Sequence, residues 1–455
     1  MALKSIPNLV DAVHRYLRGH GVPSPGARAL RPLFETINLA SLKTEEGKPL
    51  QLRVALVDPN NRDPDRPPWP RPSRWQFVDM NPRLEFTVRN LVKLAKAADP
   101  WSSCLAVYFN DKGNFYIWGL IDQTVHFNTL LMREREGGYS QPGLFHVQAT
   151  GAADLTVYRE WGFVARLAQD NLIRRQNRVF WTGPVSARLG VGIEKFLSRV
   201  LRGTEYRSYG DAPVDAAFLA DRWIGTLCRV LISIQKYRHG GALLLTRSNA
   251  DLDIKYPIKY PRLSEALLSW GIAKLTHSKT QREIFDDYLE KKKEFVPAEL
   301  YLENSISADA VEDLDDEITG CVRFISSMSC VDGLILASPD LEIRGFGVEI
   351  RPKKDVDAIY LASGPEAKVG SLSFIHPSHY GTRHRSMMRF CMAHPGTIGF
   401  VISQDGDIRA LTRVGQRLIM WEDLEVHSIH EYTRKRSRSR AVTFPPLDHP
   451  WMRYR

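Results

Sequence analysis

Three times in this chain, a stretch with apolar residues at helical spacing runs into two β-rich stretches separated by a polar turn. The first is LEFTVRNLVKLAKAA followed by CLAVYFNDKGNFYIWGLI (104–121), where Asn-Asp-Lys-Gly between two β-rich runs signals a hairpin. The second is RWIGTLCRVLISIQKY (222–237) with HGGALLLTRSNADLDIKYPI (239–258), read as strand, turn, strand. The third is DAVEDLDDEITGCVRFISSM (309–328) with DGLILASPDLEIRGFGVEI (332–350). A chain written in this alternation folds as α/β, because each element must bury its apolar side against another. The units share no residue identity, so they are read as the common way of building α/β layers rather than as an internal repeat.

At 455 residues the chain has room for two or three domains, since a single core seldom grows past about 300 residues. Residues 1–22 carry Leu9, Val10, Val13 and Leu17 on one side of a short amphipathic helix. LQLRVALVDP (50–59) reads as a strand, and the Pro-rich, charged 58–74 as an exposed loop. In the third unit Ser307 is a candidate N-cap, with Asp309, Glu312, Asp313, Asp315 and Asp316 in the first turns. Val311, Leu314, Ile318, Val322, Ile325 and Met328 form its apolar stripe, so this helix is structural and its acidic run is not a metal site. A boundary is expected near residue 300, after YLEKKKEFVPAEL. It separates a 1–300 region, with room for a further division into about 1–160 and 161–300, from a 305–428 domain and a 429–455 basic tail.

Composition removes several function classes. The five cysteines are scattered with no CxxC, which argues against a disulfide framework and a zinc site and for a reducing interior. No apolar run reaches bilayer length, and the N-terminus does not read as a secretory signal, so a cytoplasmic protein without membrane contact is expected. The net charge of +10 suits a polyanionic partner. Its densest run, TRKRSRSR (433–440), has no aromatic residue for base stacking and is read as a solvated segment rather than a nucleic-acid site.

Two places carry residues suited to chemistry. Asp332-Gly333 opens a strand-like run, where a carboxylate at the mouth of a buried strand is costly unless bonded or liganded. The glycine beside it would leave room for a ligand to approach the backbone. About fifty residues on comes GTRHRSMMRFCMAHPGTIGFVISQDGDI (381–408). Thr382, Arg383, His384 and Arg385 lead into a short helix over 386–392. A helix start with two guanidinium groups makes a cradle for a triphosphate. The strand TIGFVIS then ends at Ser403 and Asp405 beside a turn. Asp332, the Thr382–Arg385 block and Ser403 with Asp405 could meet at neighbouring strand ends, where α/β sheets hold ligands. The chain has no GxxxxGK[ST], and His376, His379 and His384 sit in loop-like sequence that a phosphate site explains better than a three-His metal site.

On these residues, the block 307–425 resembles the diadenylate cyclase (DAC) domain of the DisA N-terminal type. The family's Asp-Gly-Ala reads here as Asp332-Gly333-Leu334, and its Gly-Thr-Arg-His-Arg is complete at 381–385. The preceding region resembles the sensor regions found before such cyclases in some bacteria, HGGALLL (239–245) most of all. The resemblance implies a C-terminal domain with a mixed central sheet flanked by helices, after a larger α/β regulatory region that binds an unidentified ligand.

It further implies that two ATP are condensed into cyclic di-AMP with release of two pyrophosphates. The catalytic set would be Asp332, Arg383, His384 and Arg385, and the substrate-binding set Gly333, Leu334, Gly381, Thr382, Ser386 and Ser403. Asp332 and Asp405 would hold Mg2+ or Mn2+. Catalytic domains of two copies would face each other. Two departures stand out: Leu334 replaces the small alanine, and Ser403-Gln404-Asp405 replaces Ser-Glu-Glu, which points to retained activity with an altered rate or metal preference. The rival readings are an inactive nucleotide-binding module and a nucleic-acid-binding protein using the basic tail.

Overall fold

The computed structural model describes residues 5–426 except 20–25, 46–47, 63–75, 99–102, 111, 123–144, 160–161, 169–170, 205–211, 238, 290, 292–294, 352–354 and 404–406. The Pro-rich loop lies largely, and the basic tail wholly, outside the described residues. The chain divides into two units between Gln176 and Asn177.

In the first unit, helix α1 (Ser5–Gly19) buries Ile6, Leu9, Val10, Val13 and Leu17, the stripe expected from the sequence. Helix α2 (Ala27–Ser41) buries Leu30, Leu33, Phe34 and Ile37. Helix α3 (Val88–Ala95) starts at Thr87, whose hydroxyl accepts a hydrogen bond from the Asn90 N–H. Eight strands form one sheet: β1 (Leu52–Leu56), β2 (Gln76–Glu85), β3 (Ser103–Phe109), β4 (Phe115–Asp122), β5 (Phe145–Gly151), β6 (Asp154–Arg159), β7 (Gly162–Ala168) and β8 (Asn171–Ile173). Their order is β8-β7-β6-β5-β1-β3-β4-β2, antiparallel except for β1 with β3. Strands β3 and β4 are the expected hairpin.

The second unit is a nine-stranded mixed sheet with helices. Its strands are β9 (Gly241–Leu245), β10 (Leu252–Tyr260), β11 (Leu334–Ala337), β12 (Ile343–Ile350), β13 (Ile359–Ala362), β14 (Leu372–Ile375), β15 (Ile398–Ile402), β16 (Ile408–Val414) and β17 (Arg417–Trp421). The order is β10-β12-β11-β9-β15-β16-β17-β13-β14, with β9 parallel to β11 and β13 parallel to β17. The helices are α4 (Gly183–Arg202), α5 (Ala212–Lys236), α6 (Arg262–Glu283), α7 (Ala298–Ser327) and α8 (Thr382–Ala393). Under α8, Leu244, Leu334, Leu336, Val401 and Leu411 form one core with Met387, Met388 and Cys391. On the opposite face Phe400 stacks on Phe180 at 5.8 Å.

Three expectations are corrected. The boundary near residue 300 does not exist: β9 and β10 belong to the same sheet as β11 to β17, and the division falls at 176/177. The physical reason is that all five residues of β9 are buried, so this strand needs a partner on each edge and cover on each face. HGGALLL therefore supplies an interior strand of this sheet and is no part of the N-terminal unit. The second sequence unit gives strand, turn, strand as read, but its two strands do not pair: β10 pairs with β12 rather than with β9, whereas β11 and β12 pair directly. Finally, α7 begins at Ala298, so Ser307 lies inside it, its hydroxyl donating to the Asn304 carbonyl at 2.9 Å. The acidic run is mid-helix and pairs with neighbouring helices, Asp315 with Arg222 and Glu317 with Arg262.

Candidate active site

Strand register decides what meets what. Leu243 of β9 faces Ile335 of β11, and Gly241 faces Ile402 of β15. Ile402 in turn faces Ile408 at the start of β16, and Ala410 faces Trp421 at the end of β17. Asp332-Gly333, Ser403, Asp407 and Glu422 therefore share one end of the sheet. Helix α8 starts at that same end, for Nε2 of His384 lies 3.3 Å from Nη1 of Arg409 on β16. Only β9 separates β11 from β15, so Gly333 and Ser403 stand roughly 10 Å apart across the sheet. The structure thus brings the two sequence motifs and Ser403 to one end of the sheet.

The first motif differs from expectation in detail. Asp332 is exposed, with no ion pair among the described residues, so its charge keeps its hydration and the expected burial cost does not arise. Gly333 has φ 114°, and a Cβ there would sit 2.6 Å from the Gly347 carbonyl carbon and 2.8 Å from the Val348 nitrogen. The space that was expected for a ligand is filled by the backbone of β12, the strand next door. Leu334 is 6% exposed and packs into the core under α8, which absorbs its extra bulk.

The second motif is itself the first turn of α8, not a lead-in to a helix beginning at Ser386. Gly381 stands at the N-cap with φ −66° and ψ 170°, and a Cβ there would meet no heavy atom within 4 Å. Nothing in the fold requires a glycine at this point. It offers no side-chain cap, and the first internal bond runs from the Arg385 N–H to the Gly381 carbonyl at 3.1 Å. The turn before it leaves N–H groups at the positive end of the helix dipole. Thr382, Arg383 and Arg385 are exposed, and Ser386 is half-buried.

His384 is the triplet's inward member. Burial first, then Arg409 and Arg383, push its pKa down to about 4, so the ring is neutral at pH 7. Arg409 donates from Nε to Glu422 at 2.7 Å and lies 3.5 Å from an Asp407 carboxylate oxygen, with its guanidinium 5.8 Å from the Tyr380 ring centre. Burial and the Glu422 charge raise the Tyr380 phenol to about 12. Ser403 and Asp407 bond to each other: the Asp407 N–H donates to the Ser403 hydroxyl at 3.0 Å, and the Ser403 N–H to the Asp407 carbonyl at 2.9 Å. Asp405, the expected second metal ligand, lies outside the described residues. Among the described residues no group of three or more His, Cys, Asp or Glu could hold a metal ion.

Arg409, Glu422 and Tyr380 were not foreseen. The signal was a lone arginine between Ile408 and Ala410 at the start of an apolar strand, because a cation placed there needs a carboxylate.

Residues 20–122 match the family described as Probable sensor domain DACNV, which lies within the first unit. No curated protein matches the chain. The chain thus carries a sensor-type domain near its N-terminus, ahead of the sheet that holds both motifs. Among the described residues no helix is long and apolar enough to cross a membrane.

Proposed function

We propose that the second unit is a diadenylate cyclase module under the control of the N-terminal sensor domain. The observation that carries this reading is the meeting of Asp332 and the Gly381–Arg385 helix start at one end of one sheet. Arg383 and Arg385 are exposed guanidinium groups beside the positive end of α8, where a polyphosphate is held by charge-assisted hydrogen bonds. Asp332 is a hydrated carboxylate able to take the proton of a ribose 3′-hydroxyl. Each 3′-oxygen then bonds to the α-phosphorus of the other ATP, the bond to the β-phosphate oxygen breaks, and pyrophosphate leaves. Two such attacks close cyclic di-AMP.

Asp332 presents one exposed oxygen ligand of the kind a hard divalent cation takes, with no competing ion pair among the described residues. Asp332 with Asp405 would hold Mg2+ or Mn2+, which would offset polyphosphate charge. The chain carries one copy of each motif, so the second nucleotide must come from a second copy across a two-fold axis.

Incubation with ATP and Mn2+, read by mass spectrometry, tests the activity: cyclic di-AMP is expected, and bound ATP without product would return the inactive-module reading. Specific activity should rise with protein concentration until dimers saturate. Mixing in Asp332→Asn chains should inhibit dominantly, because a mixed pair completes at most one of the two bonds. Constant specific activity from a protein shown by light scattering to be monomeric would refute the facing arrangement.

A further inference from the structure

We infer that Arg409 is a positioning residue that fixes His384 as a neutral ring protonated on Nδ1, so that the middle residue of the triplet serves as a hydrogen-bond donor to a substrate phosphate and not as a third cation. The role toward phosphate rests on the cyclase reading; the state of the ring does not.

The inference follows from what a guanidinium can do. Nη1 of Arg409 lies 3.3 Å from Nε2 of His384. Arginine only donates, so the facing ring nitrogen must offer its lone pair, and the one ring proton sits on Nδ1. Protonating the ring would set N–H against N–H and place a new charge near Arg409 and Arg383, both of which already depress its pKa. Arg409 is held for this task from several sides. Glu422, just after β17, accepts from its Nε at 2.7 Å, Asp407 lies 3.5 Å from Nη2, and the Tyr380 ring packs 5.8 Å from the guanidinium.

The same neighbours account for the surroundings of His384. Arg409 and Asp407 come from the β16 end, Glu422 from beyond β17, Arg383 from the helix itself, and Tyr380 from before it, with its ring centre 5.4 Å from that of His384. The two carboxylates in this set face Arg409, and neither contacts the imidazole directly to stabilise a charge on it. Among the described residues, Nδ1 of His384 has no hydrogen-bond partner, which leaves its proton for a ligand.

Nitrogen NMR of the full chain labelled in its histidine rings tests this without turnover, with His384→Gln giving the assignment. The expected wild-type pattern is Nδ1–H, unchanged between about pH 5.5 and 8. Arg409→Met should shift the ring toward Nε2–H and raise its titration midpoint toward about 6.5. An Nε2–H ring in the wild type, or a titration inside that pH range, overturns the proposal whether or not the variant folds. With Mg2+ and 3′-deoxy-ATP, which lacks the attacking hydroxyl, the His384 Nδ1 proton should shift. Binding by calorimetry with no change at His384 overturns the donor role. No binding at all, with the Nδ1–H pattern intact, would count against the cyclase reading and leave the positioning by Arg409 standing.

Discussion

The two halves of the candidate site are built on opposite terms. In Asp332-Gly333-Leu334, the fold claims two of three residues: Gly333 for a left-handed backbone pressed on Gly347, and Leu334 for the core. Only Asp332 is left to water. In Gly381–Arg385 the proportions reverse. The backbone at Gly381 is one any residue adopts, Thr382, Arg383 and Arg385 are exposed, and only His384 is engaged, through Arg409. A motif can therefore mix residues that build a site with residues that act in it, and burial and backbone angle separate them. On the cyclase reading, the proposed acting residues other than His384 are the ones for which the fold has no use.

That division can be broken at several points. The largest effect is expected at Asp332→Asn, which removes a hydrated charge without changing volume: cyclic di-AMP formation should fall on the order of a thousandfold with an unchanged melting curve. Near wild-type turnover would remove Asp332 from the acting set. Next, Gly333→Ala forces a Cβ into the backbone of β12 at an unfavourable φ, and should cost on the order of 3 kcal/mol in denaturant unfolding. A fully stable Gly333→Ala protein would mean that the glycine is there for a ligand after all.

Arg383→Ala and Arg385→Ala should each weaken ATP binding by roughly ten- to a hundredfold in calorimetry, as loss of a charge-assisted bond of about 1.5–3 kcal/mol implies. Unchanged affinity in the double variant would make the triplet a solvated charge run. Gly381→Ala should change stability by no more than about 0.5 kcal/mol while reducing ATP affinity. A loss matching that of Gly333→Ala would erase the contrast between the two glycines.

The smallest expected effect is on pH dependence. His384 binds its proton less readily folded, near pH 4, than unfolded, near 6.5, so its stabilising contribution is present above about 6.5 and is lost as pH falls toward 4. Denaturation midpoints across that window should fall less steeply in His384→Gln. Parallel slopes would show that the ring is not held neutral.

Much of this was legible in the sequence where it depends on near neighbours. The α1 stripe, the β3–β4 and β11–β12 hairpins and the location of both motifs follow from periodicity and turn chemistry within a few residues. What escaped depends on distant partners. HGGALLL does not say that its neighbours are 334–337 and 398–402, and YLENSISADA carries nothing that stops a helix, so α7 runs through Ser307. The Arg409–Glu422 pair is set by the register of β16 on β17, which neither residue announces alone.

The burial of β9 bears on how the chain is born. Leu243 leaves the ribosome long before Ile335 and Phe400, the residues that flank it in the finished sheet. Until then, a strand made of Gly-Ala-Leu-Leu-Leu has two bare edges and no layer above it. Assembly of this sheet must await the last third of the chain, so the unit is expected to fold slowly and late in synthesis. A fragment starting near residue 305 would never acquire that strand. It would expose β11 and β15 to whatever extended peptide lies nearest, so the shortest self-sufficient piece bearing both motifs should begin at about Asn177.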